Sequence, residues 1–210
     1  MVRVKICGIT NLSDAVAAID AGADALGFVF VDSSPRAITP QKAAAIISRI
    51  PPFVQTVGLF VNEDPERVDW IADFCGIDLV QLHGDEDPDY CLDIRRRVIK
   101  GVRVKDRRSI EGLDRYQVSA ILCDVWSGKG YGGTGESFDW SILRNHPLPH
   151  PLILAGGLTP ETVAGAVAML RPWGVDVSSG VERSPGVKDH DLVRRFIAEA
   201  KGITMERRNA

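Results

Sequence analysis

The sequence predicts a (β/α)₈ barrel, and three observations carry that prediction. Strand-like and helix-like segments alternate without a break, giving about eight strand–helix units in one continuous array. The strand segments are mostly unbroken apolar runs, as expected when both faces of a parallel sheet are buried. The polar residues that carry chemistry cluster at the C-terminal ends of those strands, where barrels of this kind keep their sites. A doubly wound open sheet is the rival. It would need fewer units, and the G-x-G-x-x-G fingerprint expected after its first strand does not follow Cys7.

Each element has a local reason. Val2 to Cys7 is a short β-branched strand, and Leu12 to Ala21 is a helix capped by Asn11 or Ser13 and stopped by Gly22. ALGFVFV, residues 25 to 31, is the second strand; Thr39-Pro40 opens a helix to about Arg49, with proline at the first helical position. FVQTVGLFV, residues 53 to 61, is the third strand, and Asp64-Pro65-Glu66 begins a helix ending near Gly76. DLVQL, residues 78 to 82, is the fourth, followed by a helix after Asp87-Pro88. VIKGVRV, residues 98 to 104, is the fifth, with a helix expected over Ser109 to Arg115. VSAILCD, residues 118 to 124, is the sixth; a long glycine-rich loop and a short helix from Trp140 to Arg144 follow. Leu152 to Ala155 is the seventh strand, with Thr159-Pro160-Glu161 starting a helix to about Leu170. Gly174 to Ser178 is the eighth, and the last helix runs from about Asp191 to Ala200. The expected layout is one compact barrel domain over residues 1–203 with few insertions, and a frayed tail over 204–210.

The chain has 210 residues, 45% hydrophobic and 25% charged, which allows a sizeable core without disulfides. A formal net charge of only −3 argues against nucleic acid or an anionic membrane as the main partner. No run of ~18 apolar residues exists, so no transmembrane helix is expected. The four cysteines, Cys7, Cys75, Cys91 and Cys123, show neither C-x-x-C nor zinc spacing, which fits free thiols in a reducing compartment. MVRVKICGIT moves straight into a strand and does not read as a signal peptide. The expected location is the cytoplasm. A monomer is expected, with a homodimer as the alternative.

Cys7 ends the first strand. Alternation puts it on the same face as Lys5, and an inward Lys5 would favour the thiolate, making a base able to take a carbon-bound proton. A buried structural thiol is the other reading, since free cysteine is among the most buried residue types. Asp124 ends the sixth strand on the face of Leu122, opposite Cys123. Among apolar neighbours its carboxyl would be pushed up, suiting a general acid; a cap or loop ion pair is the alternative. Cys123 is expected in the outer layer.

Gly156-Gly157 precede a helix start, and Ser178, Ser179 and Gly180 follow the next strand. The loops after strands seven and eight are where such barrels bind phosphate, and paired glycines let backbone N–H groups approach an anion. YGGTGESFDW, residues 131 to 140, carries Gly132 and Gly133 and reads either as a flexible surface loop or as a lid. Arg36, after Ser34-Pro35, is a candidate clamp for a carboxylate or a solvated arginine. Gln81 and His83 end strand four, and His83 either lines the site or caps a loop. Asp176 shares a face with Ser178.

Together these motifs resemble the phosphoribosylanthranilate isomerase family of tryptophan biosynthesis. The matching stretches are KICGIT, GFVF with SPR, VGLFVN, VQLHGDE, the Asp124 strand end with YGGTGESFDW, LAGGL, and VDVSSGVE with SPGVKD, in order over nearly the whole chain. The resemblance implies a small-molecule substrate, N-(5-phosphoribosyl)anthranilate, an Amadori rearrangement, and neither cofactor nor metal. It implies Cys7 as general base, Asp124 as general acid, Arg36 on the anthranilate carboxylate, and Gly156, Gly157 and Ser178 to Gly180 on the phosphate. Lys5, His83, Asp176, Gly132 and Gly133 are supporting residues in this reading, with Asp176 placed to help position Cys7. Rival readings are a histidine-pathway or dual-substrate isomerase, which resembles an arrangement with aspartate where this chain has Cys7, and a non-catalytic phosphate-ligand barrel.

Overall fold

The computed structural model describes residues 1–125, 141–144 and 148–203. Eight parallel strands close in chain order: β1 (Arg3–Cys7), β2 (Ala25–Val29), β3 (Gln55–Phe60), β4 (Leu79–Leu82), β5 (Arg97–Val104), β6 (Ala120–Val125), β7 (Leu152–Ala155) and β8 (Gly174–Val177). The seam is β8 against β1, in register from Arg3 opposite Gly174 to Ile6 opposite Val177. Helices α1 (Leu12–Asp20), α2 (Pro40–Ile47), α3 (Pro65–Cys75), α4 (Pro88–Asp93), α5 (Ser141–Arg144), α6 (Val163–Leu170) and α7 (His190–Lys201) connect the strands.

The helix starts follow from capping chemistry. Asn11, Thr39, Asp64, Asp87 and Asp189 each accept a backbone N–H of the first turn, satisfying donors the helix itself leaves unpaired. Proline follows directly at Pro40, Pro65 and Pro88, where its missing N–H costs nothing.

Three connections differ from the sequence expectation. Residues 109–115 are not an α-helix but parts of two 3₁₀ turns, Arg107–Ile110 and Leu113–Arg115. Asp106 and Ser109 cap each other across the first, and Gly112, at φ 73°, breaks the run before a second turn of helix can form. Helix α6 starts at Val163 rather than at Thr159, because the Thr162 hydroxyl takes the Thr159 N–H into a tight turn of its own. After β8 the chain makes a 3₁₀ turn, Ser179–Val181, and a small hairpin of β9 (Glu182–Ser184) and β10 (Val187–Lys188) before α7. The tail 204–210, Gly132, Gly133 and the rest of the predicted lid lie outside the described residues.

Alternation sorts the strand side chains into two layers. Val57, Ile99, Ala120, Leu122, Ile153 and Ala155 pack inside the barrel, while a larger cluster, with Val4, Ile6, Phe28, Ile121, Leu154 and Phe196, lies between sheet and helices. Cys123 is in the outer layer, as its parity requires. Truncating a fully buried side chain such as Leu122 to alanine costs about 2–5 kcal/mol, so the inner plug fixes the strand ends above it.

Candidate active site

The site is built on the C-terminal ends of the strands. Lys5 and Asp176 face each other across the β1–β8 seam, and both are buried. The Lys5 ammonium donates to Asp176 Oδ1 at 3.0 Å and to Gln81 Oε1, from β4 across the barrel, at 2.9 Å. Cys7 lies one pleat further along β1, opposite Gly27 of β2. Glycine is required there: a Cβ on residue 27 would stand 2.8 Å from Cys7 Sγ and 3.0 Å from Lys5 Nζ.

This arrangement corrects the expected state of the thiol. Burial pushes the Cys7 thiol above its ordinary value; Lys5 pulls it down and Asp176 pushes it up again, and the outcome is upward. Burial also opposes the Lys5 charge, but Asp176 and Cys7 hold the ammonium above its usual range. Lys5 is therefore placed as predicted, yet burial and Asp176 outweigh its pull and the thiolate is not favoured. Asp176 touches Lys5 and reaches Cys7 through it.

On the far side of the mouth, Asp124 at the end of β6 shares the inward face of Leu122. Its Oδ2 lies 3.2 Å from His83 Nε2, and His83 Nδ1 lies 2.9 Å from Gln81 Nε2. His83 thus stands between Asp124 and Gln81. A continuous path runs from Asp124 through His83, Gln81 and Lys5 to Asp176.

Arg36, after β2, reaches a carboxylate, but it is Glu182 of the hairpin beyond β8. Its Nε and Nη2 fork the two carboxylate oxygens at 2.7–3.1 Å. The same carboxylate accepts from Lys188 Nζ at 2.7 Å, and Lys188 is fully buried and also donates to the Ser178 carbonyl. Burial works against both ions. It wins for Lys188, whose ammonium falls below its ordinary range, while Arg36 and Lys188 together hold the Glu182 carboxyl below its own. Glu182 therefore sets the plane of the Arg36 guanidinium.

The two predicted phosphate loops are neighbours, since β7 pairs with β8. Gly156 and Gly157 have positive φ, of 89° and 63°. Ser178 opens the 3₁₀ turn over Ser179–Val181, and a Cβ on Gly180 would strike the Leu158 carbonyl, so the second loop packs directly on the first. Five residues separate Gly157 from the first residue of α6, Val163, so the N–H groups offered at this edge are those of the loops and the 3₁₀ turn. Among the described residues, no group of three or more His, Cys, Asp or Glu side chains is placed to hold a metal ion.

Comparison with known proteins decides the family. The model of the family described as N-(5'phosphoribosyl)anthranilate (PRA) isomerase matches residues 4–199. The chain belongs to that family. Among PRA isomerases, the N-(5'-phosphoribosyl)anthranilate isomerase of Geobacter sulfurreducens is 58% identical over 202 residues, 96% of this chain and all of that one. The phosphoribosyl anthranilate isomerase of Thermotoga maritima superposes with a TM-score of 0.91 at 48% identity, over 96% of this chain and all of its own. A phosphoribosyl anthranilate isomerase solved in complex with reduced 1-(o-carboxyphenylamino)-1-deoxyribulose 5-phosphate has a TM-score of 0.86 at 46% identity, over the same shares.

Several residues of this PRA isomerase site escape a reading from sequence. Glu182 and Lys188 lie within VDVSSGVE and SPGVKD, but nothing in the sequence singles them out, because their role depends on a hairpin the pattern does not announce. Gly27 and Gly101 do leave a signal, since glycine inside a strand marks a close approach. A Cβ on Gly101 would come 2.6 Å from His83 Nδ1.

Proposed function

We propose that this chain converts N-(5-phosphoribosyl)anthranilate to 1-(2-carboxyphenylamino)-1-deoxyribulose 5-phosphate in tryptophan biosynthesis. Cys7 is the general base, Asp124 the general acid, Arg36 the carboxylate-binding residue, and Gly156, Gly157, Ser178, Ser179 and Gly180 bind phosphate. The observation that carries the reading is the pairing of a thiol at the end of β1 with a carboxyl at the end of β6, beside two adjoining glycine loops after β7 and β8.

In this mechanism protonated Asp124 gives its proton to the ribose ring oxygen. The C1–O bond breaks and the nitrogen lone pair forms a C1=N⁺ Schiff base. Cys7 thiolate removes the C2 proton; that electron pair forms C1=C2 and the C1=N⁺ pair returns to nitrogen, giving an enolamine. The enolamine then gains a proton at C1 and loses the one on the C2 oxygen, leaving the ketone. No oxidant or reductant is consumed. Burial keeps Cys7 protonated in the free protein, so the cationic Schiff base, an opposite charge close to Sγ, supplies the pull toward thiolate.

The test is turnover of phosphoribosylanthranilate, followed by loss of anthranilate fluorescence, in the wild type, Cys7→Ser and Asp124→Asn. Each variant is expected to lose at least ~10²-fold, the scale of a positioned acid or base. Near-normal rates in both would sink the mechanism, and binding without turnover by the wild type would sink the activity.

A further inference from the structure

The path from Lys5 to Asp124 has a direction, and its chemistry fixes it. An ammonium has donors and no acceptor, so the atom of Gln81 that faces Lys5 Nζ at 2.9 Å must be its carbonyl oxygen. The other end of the same amide is then Nε2, which has only donors, and it meets His83 Nδ1 at 2.9 Å. Nδ1 must therefore accept. An imidazole that accepts at Nδ1 is neutral and carries its one proton on Nε2. That N–H points at Asp124 Oδ2, 3.2 Å away.

The surroundings leave the relay no slack. Gln81 has no exposed surface, so neither amide atom has water as a substitute partner. Lys5 is held from its other side by Asp176, which keeps it charged and a donor. The His83 ring is held in place from β5, where only a glycine at 101 leaves room for Nδ1.

We infer that Gln81 is a positioning residue that relays the fixed donor character of Lys5 to His83, locks that imidazole in the Nε2–H tautomer, and so aims one hydrogen bond at Asp124 Oδ2. The consequence is a division of labour within one carboxyl group. Oδ2 is occupied as an acceptor, so the proton that Asp124 delivers sits on Oδ1. The base side of the barrel thereby sets the proton geometry of the acid side, from β1 through β4 to β6. This rests on the reading of Asp124 as the acid, but the tautomer itself does not.

The experiment is ¹⁵N NMR of histidine-labelled full-length protein at neutral pH, with the His83 signals identified by their loss in His83→Gln. The wild type is expected to show a neutral His83 with the proton on Nε2 and an unprotonated Nδ1. Gln81→Glu keeps the size but turns the relay into an acceptor at both ends, and is expected to move the proton to Nδ1 or to produce a doubly protonated ring. Gln81→Leu removes the relay, and is expected to leave the two tautomers mixed. In both, kcat is expected to fall at least ~10-fold, part of the ~10²–10⁴-fold that a positioned acid contributes, with KM within about twofold because no substrate contact is removed. A wild-type His83 protonated on Nδ1 overturns the inference even if neither variant folds. So does an unchanged tautomer with unchanged kcat in both variants. If Asp124→Asn stays active while wild-type His83 carries its proton on Nε2, the assignment of the acid fails and the relay stands.

Discussion

Lys5 and Asp176 are strand neighbours whose ion pair, 3.0 Å across the β1–β8 seam, governs the thiol one pleat above. Asp176 raises the Cys7 thiol, and Lys5 lowers it. Replacing Asp176 with asparagine keeps an acceptor for Lys5 and removes the negative charge, so the sign is fixed: Cys7 becomes a thiolate at lower pH. The readout is the pH dependence of alkylation, with Cys7→Ser supplying the background from the three other cysteines. Those are buried and lie far up the scale, with Cys75 and Cys91 pushed to about 11 and Cys123 to about 12. An unchanged or upward-moving profile in Asp176→Asn rules this account out.

Gly27→Ala tests how tightly the thiol is seated. The new methyl would meet Cys7 Sγ at 2.8 Å and Lys5 Nζ at 3.0 Å. The backbone cannot retreat cheaply, because the Gly27 carbonyl accepts from both Gly8 and Ile9. The thiol must move instead. Stability is expected to fall by about 1–3 kcal/mol, as in other overpacked sites. Activity is expected to fall by up to ~10²-fold, the cost of displacing a reacting group by about 1 Å. Wild-type kcat in a folded Gly27→Ala protein would show that the contact does not seat the thiol.

What was legible in the sequence, and what was not, divides on physical grounds. The barrel could be read because each strand and cap is a local pattern: Asn11, Asp64 and Asp87 announce their helices within three residues. The positions of Lys5, Cys7 and Leu122 followed from period-two alternation along single strands. The state of Cys7 did not, because it sums burial with a charge 169 residues away in the chain, and the sum goes against Lys5 alone. Arg36 was foreseen as a carboxylate clamp, but Glu182, its partner 146 residues on, belongs to a hairpin too short to show a strand pattern. At 109–115 the reason is local instead: a capping box and one left-handed glycine outweigh helix-forming neighbours.

Arg36 and Glu182 give a third prediction. If the fork onto Glu182 orients the guanidinium for the anthranilate carboxylate, Arg36→Lys loses the planar donor set while keeping the charge. A hydrogen bond to a charged group contributes about 1.5–3 kcal/mol, so KM is expected to rise roughly 10- to 100-fold with kcat much less affected. Glu182→Gln should raise KM in the same direction and also destabilise the fold, because it leaves Lys188 buried without its counter-ion. Steady-state kinetics on both variants decides it. A fall in kcat alone, with KM unchanged, would remove Arg36 from carboxylate binding.

Glu86 gives the last prediction, and it concerns pH. Its carboxylate accepts from the Asn62 and Gly84 N–H groups and from Lys100 Nζ at 2.7 Å, all beneath the loop that carries His83. Burial would push this carboxyl up, but Lys100, the Asn62 N–H and Glu86's own N–H outweigh it and hold it below its usual range. A carboxyl depressed in the folded state contributes stability that is present above its unfolded value and lost as pH falls through the folded one. Glu86→Gln removes that contribution and leaves the Lys100 ammonium buried without a counter-ion, which costs about 3–5 kcal/mol. For a chain of this size the expected loss is roughly 10 °C in Tm at neutral pH. Calorimetry of both proteins from neutral pH downward should show the gap between them intact above about pH 4.5 and closing below it, because the wild type loses what the variant never had. Two Tm curves that stay parallel through the acid range would mean that the Glu86 charge does not hold this loop.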